Sequence, residues 1–134
     1  MEEVLDNDMS VEKTNAPIID KSKGVFRFSK LTKDELAIKV ETFLKKKGYK
    51  IEEGTMFDAK YGKGSRVGRI LLGAFIKRFA WKVTVESDGN FSKLTFYKEA
   101  SGMVGGVIGV SQVNKEFNAI IGSLGNFHAG QESN

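Results

Sequence analysis

Cysteine is absent from the 134-residue chain, and proline and histidine occur once each, as Pro17 and His128. Without cysteine there is no disulfide framework, thiolate metal site or thiol nucleophile, and nothing marks the chain as secreted, so a cytoplasmic setting is expected. Long apolar runs are also missing. The two longest, residues 70–76 and 103–110, are far too short to span a bilayer. The first ten residues are acidic where a signal peptide would be basic and then apolar. A soluble protein is the expectation.

Catalytic groups are as scarce as cysteine. His128 follows the last predicted helix, where nothing holds it against a nucleophile or a metal, so a histidine-dependent triad or a zinc site is not expected. Glu52 and Glu53 are neighbours on a predicted strand and point to opposite faces, which prevents them from working as a pair. Asp34 and Glu35 fall in the first turn of a helix, where capping and the helix dipole account for them. The spacing of Gly62, Gly64 and Gly68 misses the phosphate-binding loop, which needs lysine and a hydroxyl after its second glycine, and misses the dinucleotide fingerprint by one residue. Residues 72–79 resemble an aromatic ribonucleoprotein motif only faintly, since Ala74 stands where a base-stacking aromatic is required. No enzyme, metal or cofactor is expected on these grounds.

Apolar residues make up 40% of the chain, enough for one core in a domain of this size. Charge is unevenly spread. Residues 1–23 hold six acids against three lysines, whereas residues 60–82 hold seven bases and no acid: Lys60, Lys63, Arg66, Arg69, Lys77, Arg78 and Lys82. A block of one sign creates a local field that attracts anions.

Residues 1–23 are polar and without sustained periodicity, so they read as a flexible acidic tail, and a single α+β domain is expected over residues 24–124. Strand alternation places Phe26 and Phe28 on one buried face. Thr32 and Glu35 form the signature of a capping box, and Leu36, Val40, Phe43 and Leu44 recur at helical spacing. Lys45, Lys46 and Lys47 suit the negative end of that helix, and Gly48 suits its stop. Two strands follow, with a turn expected at Glu53 and Gly54. A hairpin over residues 79–98 is expected to turn on Asp88 and Gly89, which sets Trp81 opposite Phe96, Val83 opposite Leu94, Lys82 opposite Thr95 and Thr84 opposite Lys93. A last helix is predicted over residues 111–124, capped by Ser111 and stopped by Gly125, with residues 125–134 as a tail. The architecture expected is an antiparallel sheet of four to five strands covered by two amphipathic helices, in the order β-α-β-β-β-β-α.

Two glycine-rich apolar segments remain. Residues 66–79 fit a helix or a bent strand, and residues 102–110 intersperse four glycines among Met103, Val104, Val107, Ile108 and Val110. One reading makes both segments bent core strands. The other makes them an apolar tip within a positive collar, which is what contact with an anionic membrane surface uses. The chain therefore reads as a small binding or regulatory module whose seven bases meet an anionic partner, either a membrane surface or an acidic protein segment. The alternative is non-specific nucleic-acid binding through phosphate contacts, with Phe91 and Tyr97 as the available stacking groups. The acidic tail would compete for the same bases.

Overall fold

A computed structural model describes residues 16–64, 79–98 and 106–133, with the backbone alone for residues 106–110. Its elements are β1 (Ile18–Ile19), β2 (Lys23–Phe28), α1 (Lys33–Lys46), β3 (Lys50–Thr55), β4 (Asp58–Lys63), β5 (Phe79–Asp88), β6 (Phe91–Lys98) and α2 (Gly106–Glu132). The strands form one antiparallel sheet in the order β1-β2-β6-β5-β4-β3. The α+β class is as expected. The sixth strand is the pair Ile18 and Ile19, which bonds to β2 at Val25 and Gly24, so the end of the segment expected to be a flexible tail joins the sheet. Asp20 closes the turn between them, its carboxylate accepting from the amides of Ser22 and Lys23 and from the Ser22 hydroxyl. Those bonds hold the Asp20 carboxyl below the usual carboxylate range, the Ser22 amide contributing most.

Both helices cover one face of the sheet. Alternation sends Phe26 and Phe28 of β2, Tyr61 of β4, Trp81, Val83 and Val85 of β5, and Leu94 and Phe96 of β6 into a common core with Leu36, Val40 and Leu44 of α1 and Phe117, Ile120 and Leu124 of α2. Helix α1 starts as its sequence dictates, with Thr32 Oγ1 accepting from the Glu35 amide and Glu35 Oε1 accepting from the Thr32 amide. It ends in a Schellman motif: Gly48, at φ 97°, donates to Lys45 O, and Tyr49 donates to Leu44 O.

Four local expectations are corrected. The β3–β4 hairpin turns on Met56 and Phe57 rather than on Glu53 and Gly54, and the β3 register shifts between Ile51 and Glu53. In the β5–β6 hairpin Asp88 is already a ladder residue paired with Phe91, which leaves Gly89 and Asn90 as the central pair. Gly89 has φ 65° and Asn90 has no positive φ, the arrangement of a type II′ turn with glycine first. The register accordingly sets Val83 opposite Phe96, Val85 opposite Leu94, Lys82 opposite Tyr97 and Thr84 opposite Thr95, two residues away from the expected one. An even shift leaves each side chain on its expected face, which is why the core residues came out right.

The third and fourth corrections concern the last helix. It begins at Gly106, so residues 106–110 are helical rather than strand, and it passes through Gly125 to Glu132. The apolar stripe continues beyond Leu124 with Phe127 and His128, and tertiary packing outweighs the intrinsic cost of a glycine, about 1 kcal/mol. His128 is a buried residue rather than a solvated tail residue. Its ring packs against Phe26 and Phe28, and its Nε2 donates to the Arg27 carbonyl at 2.8 Å. One turn on, the Glu132 carboxylate accepts from the Ser29 amide and hydroxyl, which ties the helix end to the end of β2.

Candidate functional site

The open face of the sheet carries two of the seven predicted bases. Lys60 and Lys82 stand directly opposite each other on β4 and β5. Like charges so placed repel, and each has an acidic partner: Lys82 Nζ lies 2.9 Å from Asp58 Oδ1, and Lys60 Nζ lies 3.5 Å from Glu53 Oε2. The same face holds Arg27 paired with Asp88 at 2.7 Å and Lys93 paired with Glu86 at 3.2 Å. The Arg27 hydrogen bond keeps the Asp88 carboxyl below the usual carboxylate range. Such pairs, each with at least one solvent-exposed partner, add little stability, about 0–1 kcal/mol each, yet together they compensate the charge of the face.

Lys63 points the other way. Two residues beyond Tyr61 on β4, it shares the helix-covered face, where its Nζ sits 5.3 Å from the centre of the Tyr49 ring beside the C-terminal end of α1. The remaining four predicted bases, Arg66, Arg69, Lys77 and Arg78, lie outside the described residues. They belong to the connection that leaves β4 after Lys63 and enters β5 at Phe79, two residues that are paired neighbours.

At this end of the sheet a row runs across three strands. Lys63 of β4 is opposite Phe79, and Trp81, two residues along β5, is opposite Lys98 of β6. Phe79 and Trp81 stack with ring centroids 6.2 Å apart and planes within 12° of parallel. Lys98 Nζ donates to Asn114 Oδ1 at 2.6 Å and lies 5.0 Å from the centre of the Phe117 ring, both on α2. Two cations therefore flank an aromatic floor. Lys47, at the end of α1, and Lys50, at the start of β3, lie at the same end. Among the described residues none of these four lysines forms an ion pair with a carboxylate.

Beneath the helices the floor holds three buried polar groups. The Tyr49 hydroxyl donates to Glu116 Oε2 at 2.6 Å, tying the start of β3 to α2. Burial first, and then this bond to a carboxylate, push the Tyr49 phenol well above its ordinary value. Tyr61 and Trp81 face each other across β4 and β5, both fully buried. The Tyr61 hydroxyl has no hydrogen-bond partner among the described residues, whereas the Trp81 side chain bonds weakly to the Tyr49 hydroxyl, which offsets a part of the rise in that phenol. Burial, with a smaller contribution from the Glu41 charge, pushes the Tyr61 phenol up to about 12.

Helix α2 starts at Gly106, and its described packing on the sheet includes Val113 and Asn114. Its first residues carry Val107, Ile108 and Val110 in sequence. Both glycine-rich apolar segments thus attach at one end of the sheet.

A shallow groove of ≈ 420 Å³ at the opposite end, lined by Ser29, Leu31, Thr32, Gly89 and Asn90 among others, holds less chemistry. The Thr32 hydroxyl in its lining already accepts from the Glu35 amide. Among the described residues no group of histidine, aspartate or glutamate is arranged to hold a metal, and no helix is long and apolar enough to cross a membrane.

Sequence reasoning missed Lys98, Tyr49, Glu116, Tyr61 and Trp81 as members of one site. Correct hairpin pairing would have revealed the row from Lys63 to Lys98. Nothing local signals the Tyr49–Glu116 bond, which joins residues 67 apart. No known protein family, curated protein or solved structure matches the chain.

Proposed function

We propose that this protein is a non-enzymatic binding module, working in the cytoplasm, that meets an anionic lipid surface with the end of its sheet bearing Lys47, Lys50, Lys63 and Lys98. The observation that carries this reading is the contrast in charge compensation. Bases on the open face have carboxylate partners, whereas these four have none among the described residues. A helix start that is apolar in sequence, beside lysines that have no carboxylate partner among the described residues, supplies the two ingredients of interfacial binding, buried apolar area and attraction to anionic lipid. Arg66, Arg69, Lys77 and Arg78 enter the proposal through their connection, which is anchored at the same end by Gly64 and Phe79.

Co-sedimentation with vesicles of phosphatidylcholine, with and without phosphatidylserine, tests it. Binding is expected only with the anionic lipid and is expected to weaken as salt rises. Charge removal in Lys63→Gln or Lys98→Gln should weaken binding about fivefold each, from about 1 kcal/mol per lysine near an anionic surface. Lys60→Gln and Lys82→Gln should change it less, since both lie along the face away from the helices rather than at the end that meets the lipid. Absence of binding at low salt refutes the reading. Retention of duplex or single-stranded nucleic acid in a gel, without vesicle binding, would replace the membrane with a phosphate backbone as the partner.

A further inference from the structure

We infer that the groove at the end of the sheet remote from Lys63 and Lys98 is a docking surface for the chain's own acidic segment, residues 1–15. The inference goes beyond the lipid reading and does not depend on it. Three observations carry it, and the first is the direction of β1. Ile18 pairs with Val25 and Ile19 with Gly24, so the chain read backwards from β1 advances along β2 toward Phe28. Phe28 is opposite Ser92, and Phe91 is opposite Asp88, so that end also holds the β5–β6 turn and, through Ser29, the approach to α1. The acidic segment therefore meets β1 from the groove end. Lys63 and Lys98 lie at the other.

The second observation is charge. The groove, of ≈ 420 Å³, is lined by Lys30 and Lys33 and by no acidic residue. Neither lysine forms an ion pair with a carboxylate among the described residues. The Lys33 ammonium lies 4.6 Å from the centre of the Phe57 ring, a contact that leaves its charge uncompensated. Lys33 also opens α1, at the positive end of the helix dipole, where a cation costs stability rather than adding it. Of the acids close by, Glu35 is bound to the Thr32 amide, Asp88 to Arg27 and Glu132 to Ser29, and Asp34 is exposed.

The third observation is what the segment brings. Residues 1–15 hold Glu2, Glu3, Asp6, Asp8 and Glu12 against Lys13 alone, with Val4, Leu5, Met9 and Val11 among them. Glu12 is four residues from Ala16 and Asp8 is eight, spans of up to about 13 Å and about 26 Å in extended chain. Both can reach a groove that begins at Ser29, one residue past β2. Their carboxylates then meet the two ammonium groups, and the apolar residues beside them have Leu31 and Phe91 of the lining to rest on.

Because the chain has no cysteine, Ser10→Cys places a single nitroxide label between Asp8 and Glu12. The test compares amide spectra of the full, isotope-labelled protein by NMR with the nitroxide oxidised and then reduced. A selective loss of signal is expected at Lys30, Lys33, Gly89 and Asn90, with Lys63 and Lys98 unchanged, and the signals should recover at high salt. Lys30→Glu with Lys33→Glu should abolish the loss. That variant should stay folded, because it places acids where the α1 dipole favours them. Adding Asp8→Lys and Glu12→Lys to it should bring the loss back, which a contact indifferent to charge would not do.

No loss anywhere, a loss centred on Lys63 and Lys98, or a loss that survives Lys30→Glu with Lys33→Glu overturns the inference. A loss that appears when nitroxide-bearing chains are mixed with separate isotope-labelled chains assigns the contact to a second copy and overturns docking within one chain. Vesicle co-sedimentation reads the other end of the sheet, so failure of the lipid reading leaves these outcomes as they are.

Discussion

Alkaline pH is the perturbation that most directly reads the buried polar floor. Tyr61 has a phenol pushed up to about 12, with burial as the main cause. In the unfolded chain it ionises near its ordinary 10.0. The neutral form is therefore favoured by folding, and stability depends on pH with the sign of the proton difference. Below pH 10 both states keep the proton and the contribution is constant. Between about 10 and 12 the unfolded state loses the proton first, and stability falls as pH rises. Two-state linkage with these values gives a loss of about 1.4 kcal/mol by pH 11 and about 2 kcal/mol by pH 12 from this one residue. Tyr49, raised for the same reason and by its bond to Glu116, adds a loss of the same sign. The assay is urea unfolding of the natural protein and of Tyr61→Phe at pH 8 to 11, followed by circular dichroism. Subtracting the two curves cancels Tyr49, the lysines and the ion pairs. The difference in stability should be flat to about pH 9.5 and then move by about 1.4 kcal/mol in favour of the variant. Parallel curves over the whole range would show that the Tyr61 hydroxyl meets water in the folded state and would refute the buried floor.

Two further substitutions test the elements that frame the site. Tyr49→Phe removes a bond to a carboxylate from a side chain that is 2% exposed, and unfolding should lose about 1.5 kcal/mol, read as a lower urea midpoint with an unchanged slope. The double variant with Glu116→Gln should lose much less than the two single losses together, because both changes break one bond. Thr32→Ala opens the capping box of α1 and should lower stability by about 1 kcal/mol in thermal unfolding, with vesicle binding at the opposite end of the sheet unaffected.

What was legible in the sequence is what short-range chemistry decides. Thr32 and Glu35 meet within one helical turn, and Gly48 needs only the preceding turn to close the Schellman motif, so α1 could be read directly. Phe26 and Phe28 could be placed because alternation alone assigns their face. The β5–β6 register could not, since both Asp88-Gly89 and Gly89-Asn90 are acceptable turn pairs and only the sheet decides between them. Gly125 looked like a stop because glycine is a poor helix former, while the residues that carry α2 past it, His128 and Glu132, bind Arg27 and Ser29 about a hundred positions away. The same range limit affected the site. The carboxylates beside Lys60 and Lys82 arrive through strand pairing, so a block that is uniformly basic in sequence is partly compensated in space.

The sheet's edges narrow where a partner can bind. An open edge is a template for strand addition unless something blunts it. Here β1 is only two residues long, although Ile18 and Ile19 are 54% and 51% exposed. At the other edge β3 breaks register between Ile51 and Glu53, has a glycine at φ 88° in Gly54, and carries Lys50, Glu52 and Glu53. A short edge and a bulged, charged one both disfavour extended pairing. The open face has its charges opposed on the described strands, and the covered face is filled by the two helices. The end with Lys63 and Lys98 differs from these, because among the described residues its cations face no carboxylate, so an anion that reaches it meets positive charge that the described acids do not offset.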